Sequence, residues 1–195
     1  MIFQDNLKFS QQVTCLCVKI SKISGILYSI RDVLSLSTLK ILYYSFVYSQ
    51  LNLHILSWGG ANANILQPLH VSLNNLVRNV GFSLNVASAT ILYKRLSILT
   101  FNELYKLKLL QFMHKTMNNK PVLCVNFLED VRWSHLYDTR QSSLRLPASR
   151  VNINKEFPIV NSIKLWCKLP PSIKNIESVQ TFKKSVIELI KQNII

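Results

Sequence analysis

Helical periodicity constrains the fold of this sequence more than any other feature. Near its start, apolar residues recur at steps of three and four, and this spacing places their side chains on one face of an α-helix. The pattern predicts a long amphipathic helix that buries this face, although Gly25 in its interior costs about 1 kcal/mol relative to alanine. The apolar residues of the stripe are Val13, Leu16, Ile20, Ile23, Leu27, Ile30 and Leu34.

A second helix is predicted after a serine-rich joint. Ser37 is a candidate N-cap, and Gly59-Gly60 is a typical stop. Because only a few residues separate this helix from the first, we expect residues 8–34 and 38–57 to form an antiparallel hairpin.

Three more helices are predicted before residue 120. One runs from about residue 65 to residue 80 with Pro68 in its first turn, and a short one covers about residues 90–96. The sequence TFNE at residues 100–103 is a capping box, which predicts a helix that continues to about Met117.

The periodicity weakens after residue 120. Residues 142–146 alternate like a short strand, and residues 160–168 have helical spacing. Ser178 is expected to cap a final helix with Phe182, Val186, Leu189 and Ile190 inward and Lys183, Lys184, Glu188 and Lys191 outward. The sequence thus predicts a mainly α protein: a helical bundle over residues 1–120, then a less regular basic region over residues 121–195 that ends in an amphipathic helix.

The charge balance is strongly basic. The 195 residues contain 23 Lys and Arg against 9 Asp and Glu, a formal net charge of +14 that is dispersed rather than gathered in a tail. Dispersed cations on a folded surface suit contact with the phosphate backbone of RNA or DNA, although a basic surface without a specific partner is the plain alternative. The candidate nucleic-acid-binding residues are Arg140, Arg145, Arg150, Lys183 and Lys184.

The motifs of common catalytic sites are absent from the sequence. Its four glycines form no phosphate-binding loop, and no nucleophile elbow is present. The four histidines are far apart, and the only adjacent carboxylates, Glu129 and Asp130, lie in a basic stretch where surface ion pairs are expected. We therefore expect no catalytic residue, no metal site and no cofactor.

Cysteine usage and hydropathy bear on location. The four cysteines are too few and too scattered for a disulfide framework, so free thiols in a reducing compartment, the nucleus or the cytoplasm, are expected. Residues 41–77 lack Asp, Glu, Lys and Arg, but polar residues and Gly59-Gly60 interrupt this stretch. No membrane association is expected, since a bilayer helix needs about 20 mostly apolar residues.

Five segments in order resemble the region that follows the palm in reverse transcriptases of jockey-type non-LTR retrotransposons. The first segment has three parts, KISKISGILY at residues 19–28, LKILYYSFVYSQL at 39–51 and WG at 58–59. The other four are LSILTFNELY at 96–105, YDTRQSSLRLP at 137–147, IKLWCKLPPSIK at 163–174 and FKK at 182–184. The resemblance covers roughly residues 8–190.

This resemblance implies a thumb and downstream region of an RNA-directed DNA polymerase. The family's aspartate-bearing palm motifs, its endonuclease domain and its Cys/His knuckle are absent from these residues. Asn52-Leu53-His54-Ile55 stands where the family usually has a Tyr-Gly pair, and Ser162-Ile163-Lys164 replaces the usual Gly before Leu-Trp. The expected function is a noncatalytic, sequence-nonspecific contact with nucleic acid, with the palm of a parent polymerase as a further partner. The alternative is a helical protein–protein interaction module with no nucleic-acid role.

Overall fold

The computed structural model of the protein describes residues 8–81, 88–118 and 158–192. Within these ranges the structure is helical and contains no strand, which confirms the mainly α class. The predicted strand at residues 142–146 lies outside the described residues. The helices are α1 (Ser10–Ile30), α2 (Leu36–Leu42), a π-helical segment (Tyr43–Tyr48), α3 (Ser49–Asn52), α4 (Ile55–Trp58), α5 (Ala63–Val80), α6 (Ala89–Leu96), α7 (Phe101–Met117), α8 (Pro158–Cys167), α9 (Pro171–Lys174) and α10 (Val179–Lys191).

The chain divides into two compact units, Met1–Asn102 and Glu103–Ile195. In the first unit, α1 buries the predicted stripe at Val13, Leu16, Ile20 and Leu27, whereas Ile23 and Ile30 are half-buried. The main partner of α1 is α5 and not the segment that follows it in sequence, so the expected hairpin is a minor contact. The apolar stripe of α5 explains this choice, because Leu66, Leu69, Leu73, Leu76, Val77 and Val80 are all buried.

Two side-chain contacts give the register of α1 against α5. Asn79 Nδ2 donates to Ser24 Oγ at 2.9 Å, and the side chain of Ser72, whose hydroxyl donates to the Pro68 carbonyl, lies close enough to act on the thiol of Cys17. In each pair the two residues are 55 positions apart in the chain. From the Cys17–Ser72 pair to the Ser24–Asn79 pair, the residue on α1 and the residue on α5 each advance by seven positions, which is two helical turns. The two helices therefore run parallel, which the sequence pattern alone did not specify.

The segment predicted as one helix over residues 38–57 is divided into four pieces. Its core residues Leu39, Tyr43, Val47 and Leu51 are spaced by four. On a regular α-helix this spacing would rotate each side chain about 40° around the helix axis relative to the previous one. The wider π-helical turn at Tyr43–Tyr48 offsets that drift and keeps the four side chains on the buried face. A second interruption follows at His54, which has φ 54°.

Two predicted helix starts differ from the structure. Ser35, not Ser37, caps α2, because Ser35 Oγ is placed to accept from the backbone N–H of Thr38 at 3.3 Å. Helix α5 begins at Ala63 behind an Asn62 cap, so Pro68 lies inside the helix and not in its first turn. The predicted ends at Gly59 and Gly81 and the predicted helix to Met117 are confirmed.

Gly81 has a packing reason as well as a position at the helix end. A Cβ on this residue would lie 3.1 Å from the carbonyl oxygen of Val77 and 3.2 Å from Leu92 Cδ2. The absence of a side chain thus allows α6 to approach the end of α5. Gly25 differs, since an added Cβ there meets nothing within 4 Å.

Helix α1 is long and apolar enough to cross a bilayer by length and composition alone, and about 28% of its most apolar stretch is buried. The buried part is the stripe that packs against α5. Residues 41–58 are split among short elements and form no single helix of bilayer length.

Candidate nucleic-acid interface

An aromatic cluster connects α7, α8 and α10 of the second unit. The His114 ring of α7 stacks on Phe182 of α10 at 4.1 Å between centroids and 24° between planes, and Trp166 of α8 lies 5.9 Å from Phe182. His114 and Phe182 are fully buried, and Trp166 is 5% exposed. These three side chains fix which faces of α7 and α10 meet.

His114 is held by its packing and by one backbone acceptor. Its Nε2 donates to the carbonyl oxygen of Ile176, since a carbonyl can only accept. Within the part of the chain that the structure describes, the His114 Nδ1 has no hydrogen-bond partner. His114 is therefore a packed core histidine.

Three lysines lie on α7 and α10 near the His114–Phe182 contact, where the charges of Lys115 and Lys183 act on Lys108. Lys115 follows His114, Lys183 follows Phe182, and Lys108 lies two turns before Lys115 on α7. Lys108 is half-buried, whereas Lys115 and Lys183 are exposed. We call Lys108, Lys115 and Lys183 the lysine cluster.

The electrostatics of the lysine cluster are repulsive. Burial lowers the pKa of Lys108, and the positive charges of Lys183 and Lys115 lower it further. Among residues 8–81, 88–118 and 158–192, no carboxylate pairs with Lys108 to offset this. Like charges gathered without a partner cost free energy in the isolated protein, and an anion bound there would recover that cost.

The structure places two of the five predicted interface residues. Lys183 and Lys184 are exposed on α10, while Phe182, Val186 and Ile190 point into the core. Leu189, predicted inward, is half-buried. Arg140, Arg145 and Arg150 lie outside the described residues, so their role stays a prediction.

Sequence reasoning missed Lys108 and Lys115. The available signal was their spacing of seven residues on the predicted helix to Met117, which places both on one face. What the pattern could not supply was the partner helix, because the contact between α7 and α10 joins residues more than 60 positions apart.

Two further kinds of candidate site residue are potential metal ligands and aromatic residues that could stack on bases. In the ranges that the structure describes, no three His, Cys, Asp or Glu side chains gather as a metal site would require, and Cys15, Cys17 and Cys167 form no disulfide bond. In the first unit, Tyr43 and Trp58 are buried, Tyr48 is half-buried, and Tyr44 is 39% exposed. Trp58 stacks on Phe101 at 5.3 Å and donates its Nε1–H to the Leu53 carbonyl at 3.0 Å.

Comparisons of the chain with protein-family models, with curated proteins and with solved structures found no match in any of the three.

Proposed function

We propose that this chain is a noncatalytic region that contacts the phosphate backbone of RNA or DNA without reading its sequence. The lysine cluster is the observation that carries the proposal. Three cations from two packed helices, with no carboxylate paired to the half-buried one in the described ranges, form a surface suited to a polyanion.

The distribution of charge supports the same function. Of the 23 Lys and Arg, 17 lie in the described ranges, together with only four of the nine Asp and Glu. The helical parts of the chain therefore carry most of the positive surplus, and the arginines between residues 121 and 157 add to it. A lysine that contacts a phosphate acts as a point charge and reads no base, which suits contact that is independent of sequence.

We further propose the family origin that the resemblance implies, the thumb and downstream region of a jockey-type non-LTR reverse transcriptase, with the palm of a parent polymerase as a partner. Several residues of the resembling segments are buried: Trp58, Trp166, Leu169 and Phe182 are at most 5% exposed. Buried residues in the resembling segments support a helical fold shared with that family. They supply no catalytic group. Template-directed nucleotide incorporation by the purified chain with Mg²⁺ would contradict the noncatalytic assignment.

The test is the salt dependence of binding to a mixed-sequence duplex. Each phosphate neutralised contributes about −0.9 to the slope of log K against log salt, so changing Lys108, Lys115 and Lys183 together to Gln should flatten the slope by about 2 to 3. Changing the exposed lysines Lys19, Lys22 and Lys94 of the first unit to Gln removes the same charge and is the matched control. Equal slopes for the two triple variants would remove the lysine cluster from the interface.

A third triple variant tests the arginines named from the sequence. If Arg140, Arg145 and Arg150 all touch phosphates, their change to Gln should also flatten the slope by up to about 3. A slope like that of the parent would exclude these arginines while leaving the lysine cluster in place.

A helical protein-interaction module is the second candidate function. It is favoured by large apolar side chains on the surface of the first unit, including Val33 at 85%, Ile41 at 64% and Phe46 at 53% exposure. This alternative predicts weak nucleic-acid binding that none of the three triple variants alters.

A further inference from the structure

The π-helical turn at Tyr43–Tyr48 keeps side chains spaced by four in line, and it does so for the row beside the buried one as well. Each member of this second row directly follows a buried residue in the chain, so the row lies at the edge of the buried face. Its members are Lys40, Tyr44, Tyr48 and Asn52, which we call the tyrosine row. The row therefore places a cation one turn from two aromatic rings.

Tyr44 is the ring of this row that is open to solvent, with 39% of its surface exposed. It contacts Tyr48 at 5.4 Å between ring centroids with 61° between planes, and Tyr43 at 5.5 Å with 84° between planes. Both are edge contacts, and among the described residues no aromatic ring lies flat against Tyr44. Two neighbours thus hold the ring in place without stacking on it.

The charges around the tyrosine row favour an anionic ligand. Lys40 precedes Tyr44 by four residues, which is about 6 Å along a helix axis. Asp32 is the only carboxylate among residues 8–81 and 88–102, and the Arg31 Nε lies 3.5 Å from its oxygen. A ligand with an aromatic face and a negative charge would meet a ring and an ammonium together.

A single strand of RNA or DNA has both features in every nucleotide, whereas a duplex keeps its bases stacked inside. We propose that the tyrosine row binds single-stranded nucleic acid, with a base stacked on Tyr44 and a phosphate at Lys40. The inference rests on the proposed function and names the form of nucleic acid that the chain takes. Every base has a π face, so stacking of this kind is independent of sequence, as backbone contact is.

The experiment compares oligodeoxythymidylate with an abasic oligodeoxynucleotide of the same length, which has the same phosphates and no bases. Binding of each labelled probe to the full chain is followed by fluorescence anisotropy at neutral pH. The parent should bind the thymidylate about tenfold more tightly, since stacking of one base on an aromatic ring changes affinity by a factor of about 5 to 150. The slope of log K against log salt should be equal for the two probes, because both present the same phosphates.

Tyr44→Ala is the decisive variant. It should remove the preference for thymidylate and leave the affinity for the abasic probe and the salt slope unchanged. Tyr44→Phe retains the ring and should keep the preference, whereas Tyr44→Leu retains an apolar side chain without the ring and should lose it.

Phe46→Ala is the matched control. Phe46 is 53% exposed in the same π-helical turn, but the residues four positions before and after it, Leu42 and Gln50, carry no charge. The variant removes an exposed ring outside the tyrosine row, so it should keep the preference for thymidylate. An equal loss of preference in Phe46→Ala and Tyr44→Ala would overturn the inference, since it is the result expected of a general apolar surface that docks a protein.

The remaining outcomes separate the inference from the proposed function. Salt-dependent binding with equal affinity for the two probes, or a preference that persists in Tyr44→Ala, overturns stacking on Tyr44 and leaves backbone contact standing. Binding to a duplex but not to thymidylate does the same, and absence of salt-dependent binding to either form overturns both proposals. Circular dichroism establishes that each variant is folded. If Tyr44→Ala does not fold, the comparison of Tyr44→Leu with Tyr44→Phe decides, and equal preference in these two contradicts stacking.

Discussion

The α1–α5 contact of the first unit and the α7–α10 contact of the second use the same helical periodicity with different side-chain chemistry. In the first unit, α1 and α5 pack through aliphatic stripes, and the groups that cross between them are the small polar pairs Ser24–Asn79 and Cys17–Ser72. In the second unit, aromatic rings with a buried histidine join the helices, and Lys115 and Lys183 directly follow His114 and Phe182 in the chain. The comparison teaches that the stripe determines which face is buried, while residues next to the stripe determine which surface is charged.

The largest expected effect tests the aliphatic side of this comparison. Leu27→Asp places a carboxylate at a position that is 2% exposed. We expect a loss of about 3–5 kcal/mol in the free energy of unfolding, because a carboxylate buried on an aliphatic face keeps its desolvation cost. Chemical denaturation followed by circular dichroism measures it.

The matched control is Lys22→Asp on the exposed face of the same helix. It should change stability by at most about 0.5 kcal/mol. Similar losses for the two variants would mean that α1 does not bury the face that contains Leu27.

The aromatic side of the comparison is tested by Phe182→Ala. Phe182 is fully buried and packs against both His114 and Trp166, so its removal leaves a cavity between three helices. The expected loss is about 3 kcal/mol, at the lower end for buried phenylalanines because the flat neighbours can close part of the space. Denaturant unfolding followed by Trp fluorescence reports it, and Lys184→Ala, on the exposed face of α10, should have little effect.

The smallest expected effect distinguishes two glycines of the first unit. Gly25→Ala should stabilise the protein by about 1 kcal/mol, because the added methyl group meets nothing within 4 Å and alanine is the better helix former. Gly81→Ala should give no such gain, since its Cβ would crowd Val77 and Leu92. Thermal unfolding compares the two variants, and a gain at Gly81 equal to that at Gly25 would contradict the close approach of α6.

Much of the helical structure was determined by local sequence. The stripe of α1, the stop at Gly81, the helix that follows TFNE and the outward lysines of α10 each depend on residues within a few positions of one another. Propensity, capping and periodicity act over that range, so these elements could be predicted without knowledge of their partners.

Tertiary structure decided what these elements pack against. The parallel register of α1 and α5, the π-helical turn at Tyr43–Tyr48 and the joining of Lys108 with Lys183 all depend on contacts between distant residues. A stripe specifies that a face must be buried, but any apolar face of matching length satisfies it. Only the packed structure selects one partner, and that choice brought the lysines of two helices together at the candidate interface.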